Sequence, residues 1–145
     1  MAMNEQQTIR AIFAGGHTVA VVGLSPKAWR ESFGVSRAMQ AAGWRIIPVN
    51  PVVAERGETI LGEKAYATLA DAALHESIDL VNVFRNSEDV PPVMEEAIAT
   101  GAPAVWLQMG IRHDVAAARA RAAGLNVVQD RCLKVEWMMR DRPST

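Results

Sequence analysis

Cysteine is nearly absent from this chain of 145 residues, which contains Cys132 alone. An internal disulfide is therefore excluded, and at most one thiol is available for chemistry. The three histidines, His17, His75 and His113, lie far apart in the sequence, so the ligand spacing of a zinc site is missing as well. We expect a protein without a disulfide and without a metal site.

The chain also lacks a dominant charge and a long apolar run. Its 15 Lys and Arg residues oppose 16 Asp and Glu residues, for a formal net charge of −1, which gives no overall electrostatic footprint for nucleic acid. The apolar runs are too short to span a bilayer, and the N-terminal MAMNEQQTIR lacks the layout of a signal peptide. We therefore expect a cytoplasmic protein with neither a nucleic-acid nor a membrane partner.

What the chain does contain is a recurring unit, in which small residues and glycine end a helix and an apolar strand follows. Half of the residues are apolar, and this composition and length predict one domain over residues 1–145. Because glycine adopts the left-handed conformation that ends many helices, we expect helix ends at Gly15-Gly16, Gly43, Gly101 and Gly124. The unit predicts strands over residues 18–22, 45–49, 78–84, 104–107 and 125–128.

Strands that alternate with helices predict a parallel sheet covered on both faces. Apolar residues recur at helical spacing from Val35 to Ala42 and from Val90 to Ala97. The predicted fold class is α/β, a Rossmann-like doubly wound parallel sheet of about five strands with helices on both faces. The expected strand order is 3-2-1-4-5, which places the ligand crevice near the switch between the first and fourth strands. The connection 51–77 is predicted to be a loop that carries a short helix near Leu69 to Leu74, either over the ligand face or elsewhere on the surface.

The end of the first strand carries the strongest functional signal. The apolar run 19–22 leads into Gly23, Leu24, Ser25 and Pro26 and then into an amphipathic helix. Glycine lets the backbone turn close to a ligand, and the free N–H groups and dipole at a helix start favour an anion. This arrangement predicts a phosphate site.

The glycine spacing argues against an NAD site. Ser25 stands where G-x-G-x-x-G has its second glycine, and the next glycine, Gly34, comes too late to be the third. Asn50-Pro51 follows the second strand, where an acid would hold the ribose 2′-hydroxyl. Lys27 and Arg30 add cations suited to further phosphate charge. The pattern favours a nucleotide other than NAD, and NADP stays open because the two cations could accommodate its 2′-phosphate.

Polar residues also follow the later strands, at Arg85-Asn86-Ser87, Gln108-Met109-Gly110 and Asp130-Arg131-Cys132. Each of them has an alternative explanation as a turn, a helix cap or a solvated charge. Cys132 is either a thiol that exchanges with a ligand thiol or a small buried residue. His113 is either part of an acid–base pair with Asp114 or a helix cap.

The four tryptophans are Trp29, Trp44, Trp106 and Trp137. Tryptophans of this kind more often fill a core or an interface than clamp a cofactor. Trp29 is the exception, because it lies inside the phosphate loop. It is expected either to cover the adenine of a nucleotide or to shield the loop.

Four stretches of the chain resemble the small, stand-alone CoA-binding protein family over residues 18–136. They are GLSPKAWRESFGVSRAMQAAGWRIIPVNP, ILGEKAYATLADA, IDLVNVFRNSEDVPPVMEEAIATGAPAVWLQMGI and GLNVVQDRCLKVE. That family is similar to the N-terminal CoA-binding domain of the succinyl-CoA synthetase alpha subunit, which implies a Rossmann-like fold holding coenzyme A. It does not imply ligase activity, since the phosphorylated histidine of the synthetase lies on a further domain.

The resemblance also implies which residues contact CoA. At the phosphates it implies Gly23, Ser25, Pro26 and Lys27, which replace the Gly-rich loop of the synthetase, with Ser32, Gly34 and Val35 at the following helix start. Asn50 and Pro51 would border the adenosine, Phe84 and Arg85 would contact the adenine or phosphates, and Leu107, Gln108 and Met109 would line the pantetheine. Arg30 joins the set as a phosphate cation.

The predicted function is to bind coenzyme A or an acyl-CoA as a non-catalytic carrier, sensor or partner module, with an acyl-CoA enzyme as the partner. The alternatives are an NADP-binding oxidoreductase or a CoA-dependent acyl-transfer enzyme. The chain is expected to be a monomer or a homodimer, and the apolar Trp137-Met138-Met139 could support the dimer or close the core.

Overall fold

The computed structural model describes residues 3–140 as alternating strands and helices. The strands are β1 (Thr18–Val22), β2 (Arg45–Val49), β3 (Thr59–Ile60), β4 (Glu63–Lys64), β5 (Leu80–Val83), β6 (Ala104–Leu107) and β7 (Asn126–Val128). The helices are α1 (Glu5–Ala14), α2 (Glu31–Ala41), α3 (Pro51–Glu55), α4 (Leu69–His75), α5 (Val90–Thr100), α6 (Asp114–Ala122) and α7 (Leu133–Met138). Five of the strands form one parallel sheet, and β3 and β4 form a separate antiparallel pair.

Helices cover both faces of the five-stranded sheet, as the α/β Rossmann-like prediction requires. Successive side chains of a strand point to opposite faces: Val19 and Val21 face the cluster under α1, α2 and α7, whereas Ala20 and Val22 face the cluster under α4, α5 and α6. Both sets are buried, which explains why the strands are apolar without alternation. The predicted fold class is confirmed.

The two helices predicted from apolar spacing are confirmed as α2 and α5. Pro91 and Pro92 lie in the first turn of α5, where a missing N–H breaks no helical hydrogen bond. Within residues 3–140, no helix is long and apolar enough to cross a membrane.

The strand order is β2-β1-β5-β6-β7, so the predicted order 3-2-1-4-5 is wrong. The predicted third strand is β5, and it pairs with β1 instead of extending the sheet beyond β2. Tyr66 holds that edge position through a single parallel bridge to Val49, with its N–H donating to Pro48 O at 2.9 Å. Because the chain then crosses back over β1, the topological switch point, where doubly wound sheets hold their ligands, lies between β1 and β5.

The segment 51–77 is not the predicted loop, because it folds along the β2 edge. It contains α3, the β3–β4 pair and α4, of which α4 confirms the short helix predicted near Leu69 to Leu74. Ile60 is buried in the core beneath this segment, and Gln40 of α2 donates from Nε2 to Leu61 O at 2.9 Å. None of its residues contributes to the cleft described below.

Most predicted boundaries hold, and the deviations have local causes. Strands 18–22, 45–49 and 104–107 are confirmed residue for residue, while 78–84 and 125–128 shorten to β5 and β7. The predicted left-handed glycines are confirmed except at Gly15, whose φ is −81°, and at Gly16. At Gly16 the requirement is close approach: a Cβ there would lie 2.2 Å from Asp79 Oδ2, which accepts from the Thr18 N–H.

Candidate anion-binding cleft

A cleft of about 780 Å³ opens at the carboxyl ends of β1, β5 and β6. The loops after these strands and the first turn of α2 supply the lining: Gly23, Ser25, Lys27, Arg30, Glu31, Ser32, Phe84, Arg85, Asn86, Ser87, Glu88, Gly110 and Ile111. A second cavity of about 840 Å³ lies between α1 and α7. We assign the ligand site to the cleft, because doubly wound sheets hold ligands at the switch point.

Gly23 turns the chain at the end of β1 so that the next loop lies over β5. Its φ is +86°, and a Cβ at this position would lie 2.5 Å from Phe84 O. The Phe84 N–H in turn donates to Val22 O at 2.9 Å. Positive φ and close approach both require glycine here, so the two loops of the cleft meet at this residue.

Two serines hold the loop between β1 and α2 in a defined shape. The Ser25 N–H donates to Ser32 Oγ at 3.0 Å, and the Lys27 N–H donates to Ser25 Oγ at 3.1 Å. The Arg30 N–H donates to Lys27 O at 3.0 Å and closes a turn before α2. Since the first-turn N–H groups of a helix have no helical acceptor, the amides of Glu31 and Ser32 are available to a ligand.

Three cations line the cleft without an acidic partner among residues 3–140. Lys27, Arg30 and Arg85 are exposed, and no carboxylate in this range lies within 4.0 Å of their charged nitrogens. Surface cations that converge on one concavity without carboxylate partners favour an anionic ligand, and the guanidinium group binds phosphate or carboxylate through two parallel hydrogen bonds.

Two carboxylates, Glu31 and Glu88, also line the cleft. Glu31 Oε1 accepts from Gln108 Nε2 at 3.4 Å, and Gln108 Oε1 accepts from the Leu133 N–H at 3.3 Å. Gln108 is fully buried. It therefore connects the starts of α2 and α7 beneath the cleft instead of lining it.

The far wall of the cleft is the turn after β6. The Gly110 N–H donates to Asp130 Oδ1, and the Arg112 N–H donates to Ser87 Oγ at 3.0 Å. Asp130 has φ +55°, an uncommon conformation for a residue with a side chain. These contacts tie the loops after β5, β6 and β7 together, so this wall is preorganised.

The structure brings about half of the predicted site residues into the cleft. Those that line it are Gly23, Ser25, Lys27, Arg30, Ser32, Phe84 and Arg85. Pro26, Gly34 and Met109 are close in sequence to lining residues without being part of the lining, whereas Pro51 is the exposed first residue of α3. Val35 and Leu107 are buried in the two core clusters, one on each face of the sheet.

Asn50 supports the loop between β1 and α2. Its Nδ2 donates to Leu24 O at 2.9 Å, and its Oδ1 accepts from the Val52 and Val53 N–H groups as the cap of α3. In the described chain all three contacts are to protein backbone. Asn50 thus joins the loop after β1 to the loop after β2.

Some lining residues were missing from the sequence-predicted set: Glu31, Asn86, Ser87, Glu88, Gly110 and Ile111. The sequence had already singled out Asn86, Ser87 and Gly110 as residues that follow strand ends, without assigning them a ligand contact. Glu31 and Glu88 had none, because acidic side chains are not expected in a phosphate site.

The other candidate residues have structural roles. His113 is the N-cap of α6, its Nδ1 accepting from the Ala116 N–H at 3.1 Å. Cys132 is buried in the core cluster under α1, α2 and α7. Trp44, Trp106 and Trp137 are buried in the same cluster, as expected of core fillers, whereas Trp29 is 77% exposed.

These features define a Rossmann-like α/β domain with a cationic cleft at its switch point. The sequence pattern of the family described as CoA binding domain matches residues 17–138. The chain therefore belongs to the CoA-binding domain family, and the resemblance seen in its sequence is confirmed.

Relatives of similar size support this assignment. The chain is 43% identical over 127 residues to the uncharacterized protein YneT of Bacillus subtilis (strain 168), covering 88% of this chain and 90% of that protein. A solved structure from Thermus thermophilus, named cell-free ID.343, is 38% identical with a TM-score of 0.84, covering 94% of this chain and 98% of that chain. A hypothetical protein from Pyrococcus horikoshii OT3 is 30% identical with a TM-score of 0.82, covering 95% of this chain and 97% of that chain.

A more distant likeness is to the WlbA dehydrogenase from Bordetella pertussis, solved in complex with NADH and UDP-GlcNAcA. It is 15% identical with a TM-score of 0.58, covering 78% of this chain and 36% of that chain. At this identity the likeness shows the shared fold alone.

Proposed function

We propose that this chain binds coenzyme A or an acyl-CoA in the cleft between β1, β5 and β6, as a non-catalytic carrier, sensor or partner module for an acyl-CoA enzyme. The observation that carries the proposal is the convergence of Lys27, Arg30 and Arg85, without acidic partners in the described chain, on a cleft that also offers the amides of Glu31 and Ser32. Membership of the CoA-binding domain family supports the choice of ligand.

The charges of the cleft fit CoA better than NAD. CoA carries a pyrophosphate and a separate 3′-phosphate, whereas NAD carries the pyrophosphate alone. Ser25, Ser32 and the first turn of α2 would hold the pyrophosphate, as helix starts do in dinucleotide-binding sites. Lys27, Arg30 and Arg85 would then share the remaining phosphate charge.

The chemistry of the lining supports a binding role without catalysis. The residues that line the cleft include neither histidine nor cysteine, the side chains that most often act as general base or thiol nucleophile. Of the two carboxylates present, Glu31 already accepts a hydrogen bond from Gln108. Glu88 is therefore the carboxylate of the lining to test for a role in proton transfer.

Titration calorimetry of the purified full chain with CoA, acetyl-CoA, NAD and NADP tests the ligand. We expect CoA and acetyl-CoA to bind at least about tenfold more tightly than NAD, because one additional charge-assisted contact is worth about that much. Tighter binding of NADP than of any CoA species would overturn the proposal in favour of an oxidoreductase.

Incubation with acetyl-CoA, followed by thiol titration, tests the absence of catalysis. We expect no release of free CoA thiol above the rate without protein. Release that scales with protein and is lost in Glu88→Gln would instead show transfer of the acetyl group to water as acetate, and would support the acyl-transfer alternative.

A further inference from the structure

Trp29 is a large aromatic side chain that is neither part of the core nor one of the proposed phosphate contacts. It is 77% exposed, whereas Trp44, Trp106 and Trp137 are buried. Tryptophan is highly buried on average, so such exposure in a loop beside a ligand cleft is unusual. An exposed indole offers a flat apolar face on which another ring can stack.

The loop fixes the position of Trp29 beside the phosphate cations. Trp29 lies inside the turn that the Arg30 N–H closes on Lys27 O at 3.0 Å, and both Lys27 and Arg30 line the cleft. The Lys27 ammonium lies 5.6 Å from the centre of the indole ring, within the range of a cation–π contact. The ring and the charge are therefore presented together, a combination that matches an aromatic base attached to phosphates.

A second exposed apolar side chain stands across the cleft. Met109 is 58% exposed in the loop after β6, next to Gly110 in the lining. Since β5 separates β1 from β6, the strand ends that carry the two loops are about 10 Å apart, two strand spacings. Arg85 follows β5, so its loop lies between the loop that carries Trp29 and the loop that carries Met109.

We propose that Trp29 is the platform on which the adenine of bound CoA stacks. The pantetheine arm would then leave the cleft toward Met109, where the family resemblance already implies it. This inference rests on the proposed CoA binding and adds which loop recognises the base. The ammonium of Lys27, over the same ring, lies within reach of the phosphates attached to the adenosine.

Calorimetry with the two halves of the ligand separates this arrangement from its alternatives. For Trp29→Ala we expect about 5- to 100-fold weaker binding of CoA and of adenosine 3′,5′-bisphosphate, the range found for a base stacked on an aromatic side chain, and unchanged binding of 4′-phosphopantetheine. Trp29→Tyr should retain most of the affinity. Leu74→Ala is the matched control, because Leu74 is 79% exposed on α4, away from the cleft.

Two outcomes would overturn the inference while leaving the proposed function standing. One is wild-type affinity for CoA in Trp29→Ala; the other is a loss confined to 4′-phosphopantetheine. If the wild-type protein binds no CoA, the proposed function itself fails. The two failures are therefore distinguishable in one set of titrations.

Fluorescence supplies an independent readout, because iodide quenches exposed tryptophan and the three other indoles are buried. We expect saturating CoA to protect the iodide-accessible emission, and Trp29→Ala to lack that emission from the start. Iodide quenching that CoA leaves unchanged would contradict stacking on Trp29. Without ligand, the emission of Trp29 could also become less accessible to iodide as the protein concentration rises. That result would contradict the stacking proposal too, since a second copy of the chain would then cover the ring.

Discussion

Gly23 shows how much of the site depends on one missing side chain. Its φ of +86° is the left-handed conformation, and its Cα lies so close to β5 that a methyl group would meet Phe84 O at 2.5 Å. Gly43 shares the first constraint, with φ +100°, but a Cβ there would have no neighbour within 4 Å. A substitution at Gly43 therefore tests backbone strain alone, whereas one at Gly23 tests strain together with a steric collision.

Gly23→Ala should cost more stability than Gly43→Ala. Backbone strain at positive φ costs about 1–2 kcal/mol at either position, and the collision with Phe84 O adds about 1–3 kcal/mol at Gly23 alone. Urea denaturation of both variants measures the difference in the free energy of unfolding. Equal losses would mean that the loops after β1 and β5 can separate without cost.

Lys27 is expected to distinguish CoA from dephospho-CoA, which lacks the 3′-phosphate. If Lys27 contacts that phosphate, Lys27→Ala should weaken CoA binding by about 10- to 100-fold, as expected for a hydrogen bond to a charged group, and should barely change dephospho-CoA binding. Calorimetry with both ligands measures this. Lys64→Ala is the control, since Lys64 is exposed on β4 and lies over Tyr66, outside the cleft. Equal losses for the two ligands would place Lys27 on the pyrophosphate.

At the scale of elements, α2 connects the loop after β1 to the core. Ser32 binds the loop from the first turn, while Val35 and Met39 pack against the sheet. Gly34 lies between them in the helix, and an added Cβ would meet no atom within 4 Å. The fold alone gives no steric reason for glycine at this position.

Gly34→Ala should therefore raise the free energy of unfolding by about 0.5–1 kcal/mol, because alanine is the better helix residue. If CoA passes over the start of α2, as the family resemblance implies, the same methyl group should lower CoA affinity. Urea denaturation and calorimetry on one variant measure both effects. A gain in stability with unchanged affinity would show that the ligand does not approach Gly34.

Elements were largely predictable from the sequence, and their arrangement less so. β1, β2 and β6 follow from short apolar runs after glycines, and α2 and α5 from apolar residues at helical spacing. The order of the strands depends on Tyr66 taking the edge beside β2 through one bridge. A single bridge leaves no periodic pattern, so the sequence could not show that the chain crosses back over β1.

The residues of the site also divide into those that a local sequence signal predicted and those whose role depends on distant parts of the chain. Gly23, Ser25 and Lys27 were predictable because a glycine turn between a strand and a helix is a local signal. The family resemblance implied that Gln108 lines the pantetheine, but its amide is directed at Glu31 and at the Leu133 N–H. Whether a polar side chain after a strand contacts ligand or protein depends on partners distant in the chain, such as α7, which local sequence does not identify.

For the molecule as a whole, the cleft joins loops that the core leaves separate. The loops after β1, β5 and β6 come from three parallel strands and converge on one lining. A ligand that contacts all three would bind the folded chain and not the unfolded one. Ligand binding should therefore stabilise the entire domain.

CoA should raise the melting temperature of the full chain by about 5–10 °C at a hundred times its dissociation constant. At that excess, binding to the folded state alone adds about 2.7 kcal/mol, and a domain of this size gains about 2–4 °C for each kcal/mol. Differential scanning fluorimetry across a CoA concentration series measures the shift, with NAD at equal concentration as the control. Lys27→Ala should show a smaller shift than the wild type at every CoA concentration, because its occupancy is lower. A shift with NADP that exceeds the one with CoA would contradict the assigned ligand, since stabilisation at equal concentration follows affinity.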